Sequence, residues 1–331
     1  MDGNPNDFQI KAGEDFACIC FSGAEFSAGQ LPDPFEAEPG LWVSRKPPSG
    51  LPEALPQNWL ALHVPLVILQ CVDLVITAKK VAFPEQPATP LVRRAENLFW
   101  GICVVAGIIQ FRSCYAISAK ASTPSIWTNL PRVYQIQGAT LPLLSCEKLS
   151  EAAKFAQRVE QMIEEWESPP SKNSLTGLYL RPISGFAAFQ IGAQQREPAY
   201  RLHQFVRTVE AFMPASVRGS DDFVKRGSSL LQRDSRNANG LKQMYDLRSA
   251  TEHHRPFDQR ALPGVSNPND IAMQRARQAE TLAREVLRRF VAGPKDLLAH
   301  FKDETSLENF WASSREVSQA WGAPMDINAG P

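Results

Sequence analysis

Arg248 and His253 stand five residues apart in the stretch YDLRSATEHH, residues 245–254, and together they suit chemistry on a phosphate ester. A guanidinium holds phosphate oxygens in a bidentate fork. An imidazole exchanges a proton near neutral pH and can act as general acid or base. The spacing recurs at Arg196 and His203, with six residues between them, so spacing alone does not single out the first pair. Around Arg248 and His253, the supporting candidates are Ser249 and Glu252 in the same stretch, His254 as a second imidazole, and Glu210 from an earlier segment. Glu210 lies in a largely apolar segment and reads as an orienting partner for Arg248. A plain structural reading stays open as well: Arg248 paired with Glu210 or Glu252 inside a bundle, and His253 and His254 on the frayed end of a helix.

These residues must be positioned by helices. From residue 146 onward the apolar residues recur at helical spacing. Glu147 to Trp166 carries Leu149, Ala152, Ala153, Ala156, Val159, Met162 and Ile163 in that rhythm, and Pro169-Pro170 ends it. Leu178 to Gln194 and Arg196 to Met213 follow, the second with Pro198 in its first turn, where a missing N–H costs little. Asp222 to Leu231 is shorter. The helix bearing Arg248 is expected to be capped by Asn237 or Asn239 and to end near Arg255, because Pro256 disfavours helical geometry in the residue before it. Asn269 to Val291 is a long amphipathic helix. Lys295–Phe301 and Ser306–Ser313 are short ones, and the tail beyond Trp321, rich in Gly, Pro and Asn, is expected to be mobile.

The first 145 residues have another character. Strand-like pieces such as Asp15–Phe21 and Leu41–Ser44 are punctuated by Pro and Gly clusters. The apolar run from Trp59 to Thr77 fits a strand or a buried helix equally. Leu91 to Gln110 reads as a helix, and residues 111–145 lack clear periodicity. The expectation is therefore an α+β protein: a mixed N-terminal domain at 1–145, a helical bundle at 146–315 and a flexible tail at 316–331.

Composition narrows the function. With 44% hydrophobic and 21% charged residues the chain is an ordinary globular protein, and 331 residues favour two domains. Its 35 basic and 35 acidic residues cancel, which argues against a protein that coats nucleic acid indiscriminately. The balance is uneven, since residues 196–300 hold eighteen Lys/Arg against twelve Asp/Glu, a local +6 offset by −6 elsewhere. A basic half is compatible with an RNA-facing domain and equally with solvated arginine faces. The cysteines at 18, 20, 71, 103, 114 and 146 include no C-x-x-C pair and no Cys/His quartet suited to zinc. Cys18 and Cys20 read as small core thiols. Free thiols and a polar, acidic N-terminus without a signal peptide point to the cytoplasm. The apolar runs at 64–78 and 98–109 are interrupted or too short for a bilayer, so no membrane is expected.

Several segments in order carry a resemblance: FVRTVEAF at 205–212, FVKRGSSLL at 223–231, the stretch from Met244 through His253, and the arginine-rich helix through Arg288, Arg289 and Phe290. Over roughly residues 176–292 they resemble the Apea-like branch of the HEPN domains, many of which are ribonucleases with an arginine and a histidine four to six residues apart. That resemblance implies a four- to five-helix bundle that dimerises and brings two Arg/His pairs into one cleft. Arg248 would hold the scissile phosphate, and His253 would move the proton of a ribose 2′-hydroxyl or of the leaving oxygen. It implies RNA as substrate, no metal and no cofactor, a homodimer, a defence or toxin setting in a prokaryote, and an N-terminal domain that meets a signal or a protein partner. The alternative it leaves is an inactive module that binds RNA, nucleotide or protein, or a structural subunit of a larger complex. The family histidine is often followed by glycine, where this chain has His254.

Overall fold

The computed structural model describes residues 8–11, 13–29, 31–51, 71–80, 90–120, 123–127, 132–136, 139–167, 180–214, 219–255, 267–293, 300–301 and 303–328. The protein is α+β and divides into two compact units, Met1–Tyr134 with Leu141–Gln161, and Gln135–Thr140 with Met162–Pro331.

The first unit is built on β1 (Phe16–Ser22), β2 (Ser27–Ala28), β3 (Phe35–Glu38), β4 (Leu41–Ser44), β5 (Leu74–Lys79), helix α1 (Leu91–Val105), β6 (Ser113–Lys120), β7 (Thr123–Trp127) and β8 (Leu143–Leu144). Helix α2 (Cys146–Glu167) starts in this unit and its end belongs to the second. Six strands form one antiparallel sheet in the order β3-β4-β5-β1-β6-β7. β1 lies inside the sheet with both faces covered, which is why FACICFS shows no alternation of polar and apolar residues. On one face Phe16, Cys18 and Cys20 join Ile10, Leu51, Val75 and Ile117. On the other, Phe21 stacks on Phe99 of α1 with ring centroids 4.7 Å apart. Burial pushes the Cys18 thiol up to about 12 and Cys20 well upward, so these thiols stay protonated members of the core.

Helix α1 stops at Val105, short of the expected Gln110, because Gly107 takes φ 128°, a conformation open to glycine. Gly101 lets α1 lie against α2, since a Cβ there would sit 2.4 Å from the carbonyl oxygen of Ala152. Of the undecided run at 59–77, residues 74–77 are strand in β5, and residues 59–70 lie outside the described ones. No helix among the described residues is long and apolar enough to cross a membrane.

In the second unit, α3 (Leu180–Gln194), α4 (Pro198–Glu210), α5 (Ser220–Ser228), α6 (Ser235–Glu252), α7 (Pro268–Val291), α8 (Glu304–Ala312) and α9 (Ser314–Trp321) follow one another. α4 is the hub and packs on α3, α6 and α7 through buried Leu202, Phe205, Val206 and Val209. α5 packs on α6. A second aromatic cluster joins Phe212, Phe290, Phe301, Phe310 and Trp321. Two expectations need correction here. The cap of α6 is Asp234, whose carboxylate accepts the Arg236 N–H, and neither Asn237 nor Asn239 serves. Asn237 is buried instead, its amide donating to the Gln232 carbonyl at 3.0 Å. The tail beyond Trp321 is not loose as far as residue 328. Ile327 is buried, Met325 bridges to Leu231, and the Asn328 amide donates to Asn237 at 2.7 Å. Asn237, read in sequence as a helix cap, and Asn328, in a tail expected to be mobile, here share a bond that docks the segment. Of the expected helix Lys295–Phe301, residues 294–299 lie outside the described ones, as do Pro169 and Pro170.

Candidate active site on helix α6

Helix α6 presents two faces. Gly240, Leu241, Met244, Leu247 and Ala250 are buried in the bundle. Arg248 lies beside that stripe, its side chain 17% exposed, and reaches the end of α4, where its Nη2 is 3.2 Å from the Glu210 carboxylate. Its Nη1 pairs with Glu252 one turn on. Its Nε is buried and has no hydrogen-bond partner among the described residues, and the guanidinium lies 5.6 Å from the Tyr245 ring centroid. Arg248 thus has both carboxylates that the structural reading offered it. They differ in kind. Glu210 is 27% exposed and on another helix, whereas Glu252 is 42% exposed on the helix's outer turn. Burial holds the Glu210 carboxyl above the usual carboxylate range, against the pull of Arg248 and with added repulsion from Glu252.

The helix stays regular between Arg248 and His253, for the His253 N–H donates to the Ser249 carbonyl at 3.1 Å. Five steps of about 100° therefore set the two side chains roughly 140° apart. His253 is the C-cap and is exposed, and within one chain the helix does not bring its imidazole toward Arg248. His254 follows at φ 51°, the one non-glycine residue with positive φ among those described. Its N–H donates to the Thr251 carbonyl at 3.2 Å and that of Arg255 to Ala250 at 2.8 Å, the bonding of a Schellman cap. His254 thus occupies the left-handed position where glycine is the least strained residue. Ser249 contributes its backbone carbonyl, and its side chain is half-buried.

An imidazole in reach of the Arg248 backbone belongs to His203, which the sequence reading did not put forward as a site residue. His203 Nδ1 lies 3.4 Å from the Arg248 carbonyl oxygen, and since a carbonyl only accepts, Nδ1 carries the proton. Burial holds His203 below its ordinary value, so it is neutral near pH 7. The signal was present: His203 and Glu210 are seven residues apart, two helical turns, and so share the face of α4 turned to α6. Arg196, the other member of that spacing, is exposed and precedes α4.

Arg248, Glu210 and Tyr245 line a pocket of about 300 Å³ with Arg181 of α3, Arg226 and Phe223 of α5. Arg181 donates to the Met213 carbonyl at 2.7 Å and to Glu304 at 2.6 Å, and Arg226 donates to the Pro214 carbonyl at 3.0 Å. Among the described residues no cluster of three or more His, Cys, Asp or Glu side chains is placed to hold a metal ion. The fold and this site define an α+β protein with an arginine-lined pocket at the junction of α3, α4, α5 and α6. No protein-family model matches the chain, and no curated protein and no solved structure is significantly similar to it.

Proposed function

We propose that the helical unit is a metal-independent endoribonuclease of HEPN type, acting as a homodimer in the cytoplasm of a prokaryote in a defence or toxin role. The observation that carries this reading is one helix end bearing an anchored arginine and a free imidazole. Arg248 is anchored by Glu210 on another helix, 3.2 Å from its Nη2, while its other counter-ion, Glu252, is exposed and exchangeable. Such an arginine can accept a phosphodiester and stabilise charge that develops on it. His253 caps the C-terminus of the helix with its imidazole exposed, where it can meet a substrate and act as general acid or base. Because the two side chains of one helix diverge, the composite site takes Arg248 from one protomer and His253 from the other. RNA supplies the 2′-hydroxyl that attacks, leaving a 2′,3′-cyclic phosphate. The first unit would then read the activating signal or a protein partner.

A second reading is supported by the same divergence and by the two carboxylates on Arg248: an inactive module that binds RNA, nucleotide or a protein, or a structural subunit. One experiment separates them. RNA is incubated with the protein in EDTA, then with Arg248→Ala, His253→Ala, and a mixture of the two. Each variant alone should lose about a hundredfold or more of the cleavage. The mixture should regain part of it, since a heterodimer rebuilds one intact arginine–histidine site. Wild-type protein that cuts no RNA, or variants that cut normally, would give the binding reading the better claim. Cleavage without rescue by mixing would place both groups of a site in one chain.

A further inference from the structure

We infer that the pocket between α3, α4, α5 and α6 binds a phosphomonoester, held by Arg181, Arg226 and Arg248, with the Tyr245 ring beside the group that the phosphate carries. The inference shares Arg248 with the reading above but requires no cleavage. Its charge is the first argument. Three arginines and one glutamate line the pocket, a formal +2 that matches a phosphate dianion and exceeds the single charge of a phosphodiester. Geometry is the second. The three arginines come from three different helices and line one pocket, which surface arginines on a single helix do not do. Two of them are already held by backbone carbonyls, Arg181 by Met213 and Arg226 by Pro214, and are thereby pre-oriented. The Nε of Arg248 is buried with its hydrogen-bonding capacity unused among the described residues.

The carboxylates that now compete are weak competitors. Glu252 on Arg248 and Glu304 on Arg181 have side chains 42% and 41% exposed, so water screens both pairs. A phosphate with three acceptor oxygens can displace them, because each oxygen can meet a charged donor of its own. Glu210 stays, as the half-buried partner on another helix that orients Arg248. The wall beside the arginines is aromatic, with Tyr245 and Phe223 rings 5.5 Å apart, and about 300 Å³ leaves room for a planar group next to the phosphate.

The test uses phenyl phosphate as the monoester, inorganic phosphate as the bare anion, and diphenyl phosphate as the diester. Titration calorimetry on the full chain measures affinity. Ring-labelled tyrosine reports location by NMR, since Tyr245 is one of five tyrosines and its signal is assigned from Tyr245→Phe. Saturable binding of phenyl phosphate that shifts the Tyr245 signal is expected, with inorganic phosphate weaker and the diester weaker still. Arg226→Ala and Arg181→Ala should each weaken it about tenfold or more, the effect of losing a charge-assisted hydrogen bond. Glu252→Gln combined with Glu304→Gln should tighten it. A thermal melt of each variant separates lost binding from lost fold, and Arg226→Lys, which keeps the charge, should retain more affinity than Arg226→Ala. Absence of saturable binding, an unmoved Tyr245 signal, or a diester that binds as well as the monoester would overturn the inference. Failure of RNA cleavage with phenyl phosphate binding intact would remove the ribonuclease reading alone.

Discussion

Removing Arg248 should destabilise the helical unit in a way that depends on pH and on Glu210. The Arg248–Glu210 contact is 3.2 Å, with side chains 17% and 27% exposed. At an effective dielectric constant near 20, Coulomb attraction at such a distance is roughly 5 kcal/mol. Desolvation offsets most of that, which leaves a coupling of about 1–2 kcal/mol. The Glu252 pair is exposed and adds about 0.5 kcal/mol at most. Arg248→Ala should therefore cost about 2 kcal/mol at about pH 8, because it strands a half-buried carboxylate. Glu210 already has a folded pKa above its unfolded value, with burial as the main cause. Between the two values the folded chain holds more protons than the unfolded one, so this group favours folding as pH falls. Loss of Arg248 raises the folded value further and widens that window. The deficit of Arg248→Ala should accordingly shrink between about pH 8 and pH 5. His203 acts in the same direction, since Arg248 is one of the charges that disfavour its protonation. Urea unfolding followed by circular dichroism, on both single variants and the Arg248→Ala/Glu210→Gln double variant, measures the coupling. Purely additive losses at pH 8, or a deficit that grows toward acid, would falsify this account of the pair.

Three further outcomes are expected. His254→Gly should stabilise the protein by about 1 kcal/mol, because it relieves a side chain at φ 51°, whereas His254→Ala should gain nothing; thermal melts compare them. Gly101→Ala should destabilise the first unit by about 1–3 kcal/mol or more, because its Cβ would press on the Ala152 carbonyl, and hydrogen exchange in α1 and α2 should reveal it. His203→Gln should flatten the acid side of the stability curve. The folded pKa of His203 lies below its unfolded value, so its contribution is present above about pH 6.5 and lost as pH falls through that range, which parallel urea titrations can resolve.

The helices of the second unit were legible because each carries a long apolar stripe. Leu202, Phe205, Val206 and Val209 announce α4 with no help from tertiary context. The cap of α6 was misread because Asn237 and Asn239 look like capping residues, and nothing local shows that Asn237 is used inward against Gln232 and Asn328. In the first unit β6 escaped notice, since SCYAISAK mixes small and polar residues and its partner strand β1 lies some ninety residues earlier in the chain. Long-range pairing of this kind leaves little trace in a local window. At the site, the sequence brought forward Arg248 and Glu210, which the structure joins, and His253, which it leaves apart from them. His203 could have been found from its seven-residue spacing to Glu210, but only if α4 and α6 were already known to be neighbours.

The two counter-ions of Arg248 bear on what that arginine can do. A buried arginine with two buried carboxylates is a structural rivet, since any ligand would have to replace both at once. A solvated arginine with none pays the full ordering cost when a phosphate arrives. Arg248 lies between these limits. Glu210 immobilises the guanidinium from a different helix, so the cost of orientation is met on folding. Glu252 occupies the remaining edge from an exposed turn of the same helix and can swing into water when another anion takes its place. The buried Nε cannot be satisfied by either glutamate as they stand. An arginine fixed on one side, exchangeable on the other and short of one acceptor is better arranged to receive an anion than to close a bundle. The two exposed histidines at the end of α6 do not share that arrangement, because among the described residues neither is held by a side chain of another helix. In the proposed cleavage their role would depend on a second protomer, whereas the proposed binding of an anion by Arg248 would not.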